Sequence, residues 1–143
     1  YEYKDILKVP FDEKLKLWTI VRNPYTRTVS DLFFFNKINK NTSQQQVHNV
    51  LKSYVHDKNL DNHNLPQYHF LIDQSGALIK NLVIMRKESL NQDLLENGIQ
   101  NNKELQVGKE TENNYMKYLN RDSLDIINQF YSKDFELFNY EKI

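Results

Sequence analysis

The sequence predicts a layered α/β fold in which a central parallel sheet is flanked by helices. Three observations carry that expectation. β-branched runs at residues 17–21 and 82–85 alternate with amphipathic helical stretches, which calls for crossover connections and parallel pairing. The apolar runs suit buried strands and fall far short of the ~20 residues that a membrane-crossing helix requires. The length, 143 residues, lies near the commonest size of one domain, so residues 1–143 are expected to form a single domain.

Taken in order, Tyr1 to Lys16 is mixed and polar, broken at Pro10, and reads as a short helix and loop leading into the first strand. The run Leu17-Trp18-Thr19-Ile20-Val21 is that strand, and it ends abruptly at Arg22. Asn23-Pro24 then opens a helix: Asn is a preferred N-cap, and Pro is best tolerated in the first turn, where its missing amide would have had no partner. Residues 43–56 place Val47, Val50, Leu51, Tyr54 and Val55 at helical spacing, with Thr42 or Ser43 as the cap. Residues 58–66 form a polar loop, and Tyr68, His69 and Phe70 read as an extended stretch. Residues 82–85 give the second strand, and a helix over 88–96 should end at Asn97-Gly98. Residues 123–131 and 132–138 read as two closing helices, each started by a serine.

Composition excludes several partners. Lys+Arg and Asp+Glu both number 19, so no global field draws in nucleic acid or an anionic membrane surface, and any anion site must be local. Cysteine is absent, which removes disulfides, thiolate metal sites and a cysteine nucleophile. Heavy use of Asn and Lys suggests an AT-rich genome such as that of a virus, phage or low-GC bacterium. With no apolar span, a cytoplasmic or otherwise soluble intracellular protein is expected, unless an anchor precedes Tyr1.

The most informative stretch is Val21-Arg22-Asn23-Pro24-Tyr25-Thr26-Arg27-Thr28-Val29-Ser30. Arg22 stands at the carboxyl end of a strand, where ligands of open α/β sheets bind, with free helix N-terminal amides expected beside it. A helix from Pro24 brings the Ser30 hydroxyl round on its second turn. An arginine offers paired N–H donors to phosphate or sulfate oxygens and a serine adds one more. The plainer reading is an Arg22–carboxylate pair with Ser30 simply on a helix, and spacing alone does not separate the two.

This stretch resembles the 3′-phosphate-binding motif, Arg-Asp/Asn-Pro-Tyr-x-Arg-x-x-Ser, of sulfotransferases that use 3′-phosphoadenosine 5′-phosphosulfate (PAPS). His63-Asn64-Leu65-Pro66-Gln67, Gly76 and Ile84-Met85-Arg86-Lys87-Glu88-Ser89-Leu90 with Asp93 resemble a second block of the carbohydrate-type, family-2 branch. Tyr131-Ser132-Lys133-Asp134-Phe135-Glu136-Leu137-Phe138-Asn139-Tyr140 resembles its closing helix. The resemblance implies a P-loop-like three-layer fold and sulfuryl transfer from PAPS to a hydroxyl acceptor, a carbohydrate by branch, with no metal required. It also implies that Arg22 and Ser30 hold the 3′-phosphate, with Arg27 at a position that is usually basic.

The family's Gly-rich loop for the 5′-phosphosulfate has no counterpart here, since none of the three glycines precedes Gly76. Either it lies upstream of Tyr1 in a longer polypeptide, or the protein lacks the donor's main cradle. Gly108-Lys109-Glu110-Thr111 is no P-loop, but by position it resembles the family's later nucleotide-closing loop, making Lys109 and Thr111 candidate cofactor contacts. A solvated loop is the plainer reading.

Of four histidines, His48 and His56 lack a third ligand at metal spacing and His69 reads as structural. His63 begins a loop expected to border the acceptor, and its pKa range suits proton exchange, so it is the catalytic candidate. The base itself is not legible: Glu2, Asp5, Asp12 and Glu13 are the carboxylates before the motif, and none aligns with a family base. Glu88 either pairs with Arg86 along an extended strand or favours a helix start through the macrodipole. Two other classes stay open, a non-catalytic nucleotide- or glycan-binding module on the same fold and a P-loop-like phosphotransferase. The oligomeric state is not legible.

Overall fold

A computed structural model of the chain describes residues 16–100 and 114–143. The described elements are β1 (Leu17–Val21), α1 (Pro24–Phe34), α2 (Gln44–Tyr54), β2 (Leu82–Arg86), α3 (Leu90–Glu96), α4 (Arg121–Phe130) and α5 (Ser132–Leu137). Single 3-10 turns lie at Gln67–Phe70, Lys87–Ser89 and Tyr115–Tyr118. The described residues fall into two compact units: a sheet unit of residues 16–22 and 67–100, and a helical unit of 23–66 and 114–143.

In the sheet unit, β1 and β2 pair in parallel with Leu17 opposite Leu82 and Val21 opposite Arg86. The mixed α/β class and the parallel pairing thus agree with the sequence, and the sheet among the described residues has two strands. β1 alternates as half-buried strands do: Val21 is buried, whereas Trp18 and Ile20 stand 41% and 52% exposed. Between the strands, Ile72 bridges Leu78 in antiparallel fashion around a tight turn. Asp73 organises that turn, its Oδ1 accepting from the Ser75 amide at 2.8 Å, the Ser75 hydroxyl at 2.6 Å and the Ala77 amide at 3.2 Å. Gly76 sits there at φ +82°, with nothing near its missing Cβ, so backbone conformation rather than space calls for glycine.

The helical unit is built on large aromatic and aliphatic side chains. Tyr25, Val29 and Leu32 of α1, Val47, Leu51 and Tyr54 of α2, and Leu124 and Ile127 of α4 recur at helical spacing and are all buried, together with Tyr131 and Phe135. The Tyr25 ring lies 5.0 Å from that of Phe135, tilted, within the favourable range for aromatic pairs.

Caps explain the element boundaries. Asn23 Oδ1 accepts from the Tyr25 amide at 2.9 Å with Pro24 in the first turn, as the sequence predicts. Ser43 and Gln46 form a capping box on α2. Three helices end in Schellman motifs with a left-handed residue after the last turn: Asn36 after α1, Gly98 after α3 and Asn139 after α5. In a chain with three glycines, asparagine takes two of these positions because its short polar side chain tolerates positive φ.

Four local expectations are corrected. α4 begins at Arg121, not Ser123, because Asn120 Oδ1 caps it by accepting from the Ser123 amide at 2.9 Å. Ser132 opens α5 without acting as a side-chain cap. Tyr68, His69 and Phe70 form a 3-10 turn, closed by the Leu71 amide donating to the Tyr68 carbonyl at 2.9 Å, not an extended stretch; three alternating residues are too few to separate the two. The helix expected over 88–96 is divided into a 3-10 turn and α3, which starts at Leu90.

Candidate functional site

The parallel register decides where the two motif arginines of the sheet unit lie. Val21 is opposite Arg86, so β1 and β2 stop at the same end of the sheet, with Arg86 as the last residue of one strand and Arg22 the first residue beyond the other. Both arginines are half-buried at the carboxyl ends of the strands, as expected.

Beyond the last strand pair, the backbone of Arg22 is held by a side chain. Its amide donates to Gln67 Oε1 at 2.9 Å, and its carbonyl accepts from Gln67 Nε2 at 2.8 Å. The other arginine is anchored similarly: the Arg86 amide donates to Asp93 Oδ2 at 2.6 Å, and the Ser89 hydroxyl donates to Asp93 Oδ1 at 2.9 Å. Asp93 ties the end of β2 to the start of α3, the role the sequence offered to Glu88. The alternation that would place Glu88 beside Arg86 on an extended strand does not occur, because β2 ends at Arg86 and Glu88 lies exposed in the 3-10 turn.

Ser30 lies on α1 in the helical unit, half-buried, and no partner takes its hydroxyl among the described residues. The first turn of α1 offers an anion less than the sequence suggests. Pro24 has no amide, and the Tyr25 amide is already taken by Asn23. Tyr25 is a structural member of the motif: its hydroxyl accepts from the Ile143 amide at 2.8 Å and donates to Asn128 Oδ1.

Arg27 is engaged within the helical unit. Its Nη1 donates to the Leu65 carbonyl at 2.9 Å, Nη2 donates to the His63 carbonyl, Nε lies 3.9 Å from Asp31 Oδ2, and the guanidinium stands over the Tyr131 ring. Buried Asn64 completes the loop's attachment, donating to the Tyr54 and Asp57 carbonyls at 2.8 and 3.0 Å and accepting at its own carbonyl from the Tyr131 hydroxyl at 2.8 Å. Burial pushes the Tyr131 phenol up to about 12 against the lowering effect of the Arg27 charge, and burial likewise drives Tyr54 well above the ordinary tyrosine range. Both phenols are therefore neutral hydrogen-bonding groups at physiological pH.

His63 is exposed, its ring stacked with Phe34 at 6.2 Å and edge-on to Phe35 at 5.4 Å. Phe34 itself is 71% exposed. The loop thus presents an imidazole on an aromatic platform while its backbone is held by Arg27. The other candidates Lys109 and Thr111, and the early carboxylates Glu2, Asp5, Asp12 and Glu13, lie outside the described residues.

Sequence reasoning missed the roles of Asn64 and Gln67. Both stood inside a quoted motif, but nothing in a single sequence says that a polar side chain in a polar loop will serve backbone groups elsewhere.

A family model described as the sulfotransferase family matches residues 5–141, and the chain belongs to that family. No match was found among curated proteins or among solved structures. No helix among the described residues is long and apolar enough to cross a membrane.

Proposed function

We propose that this sulfotransferase-family chain acts as one sulfotransferase-like domain, transferring a sulfuryl group from PAPS to a hydroxyl acceptor, with a carbohydrate as the acceptor class. The observation that carries the reading is the register that brings Arg22 and Arg86 to the carboxyl end of one parallel sheet, where open α/β sheets bind their ligands. A P-loop-like three-layer architecture belongs to the same reading.

In this proposal the Arg22 guanidinium and the Ser30 hydroxyl hold the 3′-phosphate, and Lys109 and Thr111 add cofactor contacts. Arg27 serves the nucleotide with the N–H groups not committed to the His63 and Leu65 carbonyls. The acceptor oxygen bonds to sulfur as the bond from sulfur to the bridging oxygen of the 5′-phosphate breaks. The acceptor proton passes to a base, and 3′-phosphoadenosine 5′-phosphate leaves. Fixed cationic donors stabilise charge that grows on the bridging oxygen. We assign His63, whose ring is exposed beside Phe34 and Phe35, to the acceptor.

Calorimetry with 3′-phosphoadenosine 5′-phosphate and with adenosine 5′-phosphate tests the assignment. Charge-assisted hydrogen bonds contribute ~1.5–3 kcal/mol each, so the first nucleotide should bind at least about tenfold more tightly, and Arg22→Ala should remove most of the difference. Equal affinities overturn the reading. Labelled-sulfate transfer to a panel of sugars then reports on the acceptor class.

A further inference from the structure

We propose that Gln67 is a positioning residue for the nucleotide's 3′-phosphate, acting through the backbone of Arg22. The inference rests on the assignment of Arg22 to that phosphate, and it concerns what holds the arginine rather than what the arginine touches.

The geometry is that of a substitute strand. A carboxamide carries one acceptor and one donor group spaced much like those of a peptide unit. Gln67 uses both on a single residue, accepting from the Arg22 amide at 2.9 Å and donating to the Arg22 carbonyl at 2.8 Å. In the sheet, the last registered pair is Val21 with Arg86, so Arg22 is the residue at which ladder support from β2 ends. Gln67 replaces that support at this one position. It comes from the first residue of the 3-10 turn Gln67–Phe70, a short, closed piece of backbone directly after Pro66, whose ring restricts the chain on that side.

The consequence for binding is positional. The arginine side chain has four torsions, and a displacement or rotation of its backbone is carried to the guanidinium at its end. Holding both backbone groups of Arg22 limits where the side chain starts, which reduces the ordering needed when an anion arrives. The benefit applies to ligands that use Arg22, so loss of Gln67 should weaken a 3′-phosphorylated nucleotide and leave its 3′-hydroxyl counterpart nearly unchanged. A glutamine that merely stabilises the fold would weaken both together or neither.

The test is calorimetry on the full chain, wild type and Gln67→Met, with 3′-phosphoadenosine 5′-phosphate and adenosine 5′-phosphate. Methionine keeps the side-chain length and loses both hydrogen bonds. The Kd for the 3′-phosphorylated nucleotide should rise about tenfold, and that for adenosine 5′-phosphate by less than about twofold. Wild-type protein alone supplies a second measurement that survives if Gln67→Met does not fold. By NMR, the Arg22 amide should be protected from exchange, and the Gln67 carboxamide protons should shift on adding the 3′-phosphorylated nucleotide but not the other. A Gln67→Met protein that folds and keeps the wild-type ratio of affinities, or a wild-type Arg22 amide exchanging without protection, overturns the bracing role alone. Wild-type protein that binds the two nucleotides equally overturns the phosphate assignment and the bracing role with it.

Discussion

The two units hold themselves together differently. The helical unit buries Tyr25, Leu32, Val47, Leu51, Tyr54, Ile127, Tyr131 and Phe135 in one contiguous cluster. The sheet unit buries Val21, Leu71, Ile79, Met85 and Leu90 but leaves Trp18 and Ile20 about half exposed on its first strand. Around that smaller core, polar side chains hold named backbone groups, Gln67 on Arg22, Asp93 on Arg86 and Asp73 across its own turn, as Arg27 and Asn64 do beside the larger core of the helical unit. The lesson is a division of labour. Apolar burial supplies stability without specifying an exact backbone position, whereas a carboxamide or carboxylate bonded to one peptide group specifies a position and contributes little net stability. The motif arginines Arg22 and Arg86 stand where position is specified.

The strongest test of this contrast is truncation in each unit. Phe135→Ala in the helical cluster should cost ~3–5 kcal/mol by denaturant unfolding, and Ile20→Ala, at a half-exposed strand position, less than about 1.5 kcal/mol. Comparable losses would abolish the distinction.

Titration offers a second, smaller contrast. Tyr131 is raised in the fold to about 12 by burial, above its unfolded value of about 10, so its contribution is complete below pH ~10 and disappears as pH rises from ~10 to ~12. That is up to ~3 kcal/mol, and Tyr131→Phe should flatten the alkaline decline of stability measured by urea unfolding. In the sheet unit the sign is opposite. The hydrogen bond from the Ser75 hydroxyl, followed by that from the Ser75 amide, lowers the Asp73 carboxyl. Its contribution is present above the ordinary aspartate value near ~4 and is lost as pH falls through the folded value. Asp73→Asn should therefore flatten the acid limb and lower the rest of the curve evenly, and a changed slope of the alkaline limb would show that the units do not titrate separately.

The smallest effect should be the same in both units. Asn36→Gly after α1 and Gly98→Asn after α3 exchange the two residues that tolerate positive φ, and each should shift stability by no more than about 0.5 kcal/mol. Asn36→Ala should cost about 1 kcal/mol by thermal unfolding. A large difference between the exchanges would mean that these caps depend on the surrounding packing.

Much of the local structure was legible in the residues. The Asn23-Pro24 start of α1, a cap at Thr42 or Ser43 for α2 and the Gly98 stop of α3 follow from chemistry that acts over four residues or fewer, and the two strands from their apolar runs. Errors fell where two local signals competed. Ser123 and Asn120 are both good caps, and backbone geometry chose the asparagine. Asn36 and Asn139 entered left-handed conformation where glycine is the usual signal.

By itself the sequence determined the element order, the periodic apolar faces that became the helical core, and the motif residues that mark the family, because each depends on identity and spacing along one chain. Only the tertiary structure decided which backbone groups Gln67, Asp93, Asn64 and Arg27 serve. Gln67 reaches Arg22 across 45 residues, and Arg27 reaches the His63 carbonyl across 36. A polar side chain can satisfy any donor or acceptor that folding brings to it, so its identity states what bond it can make, and the fold alone states with whom.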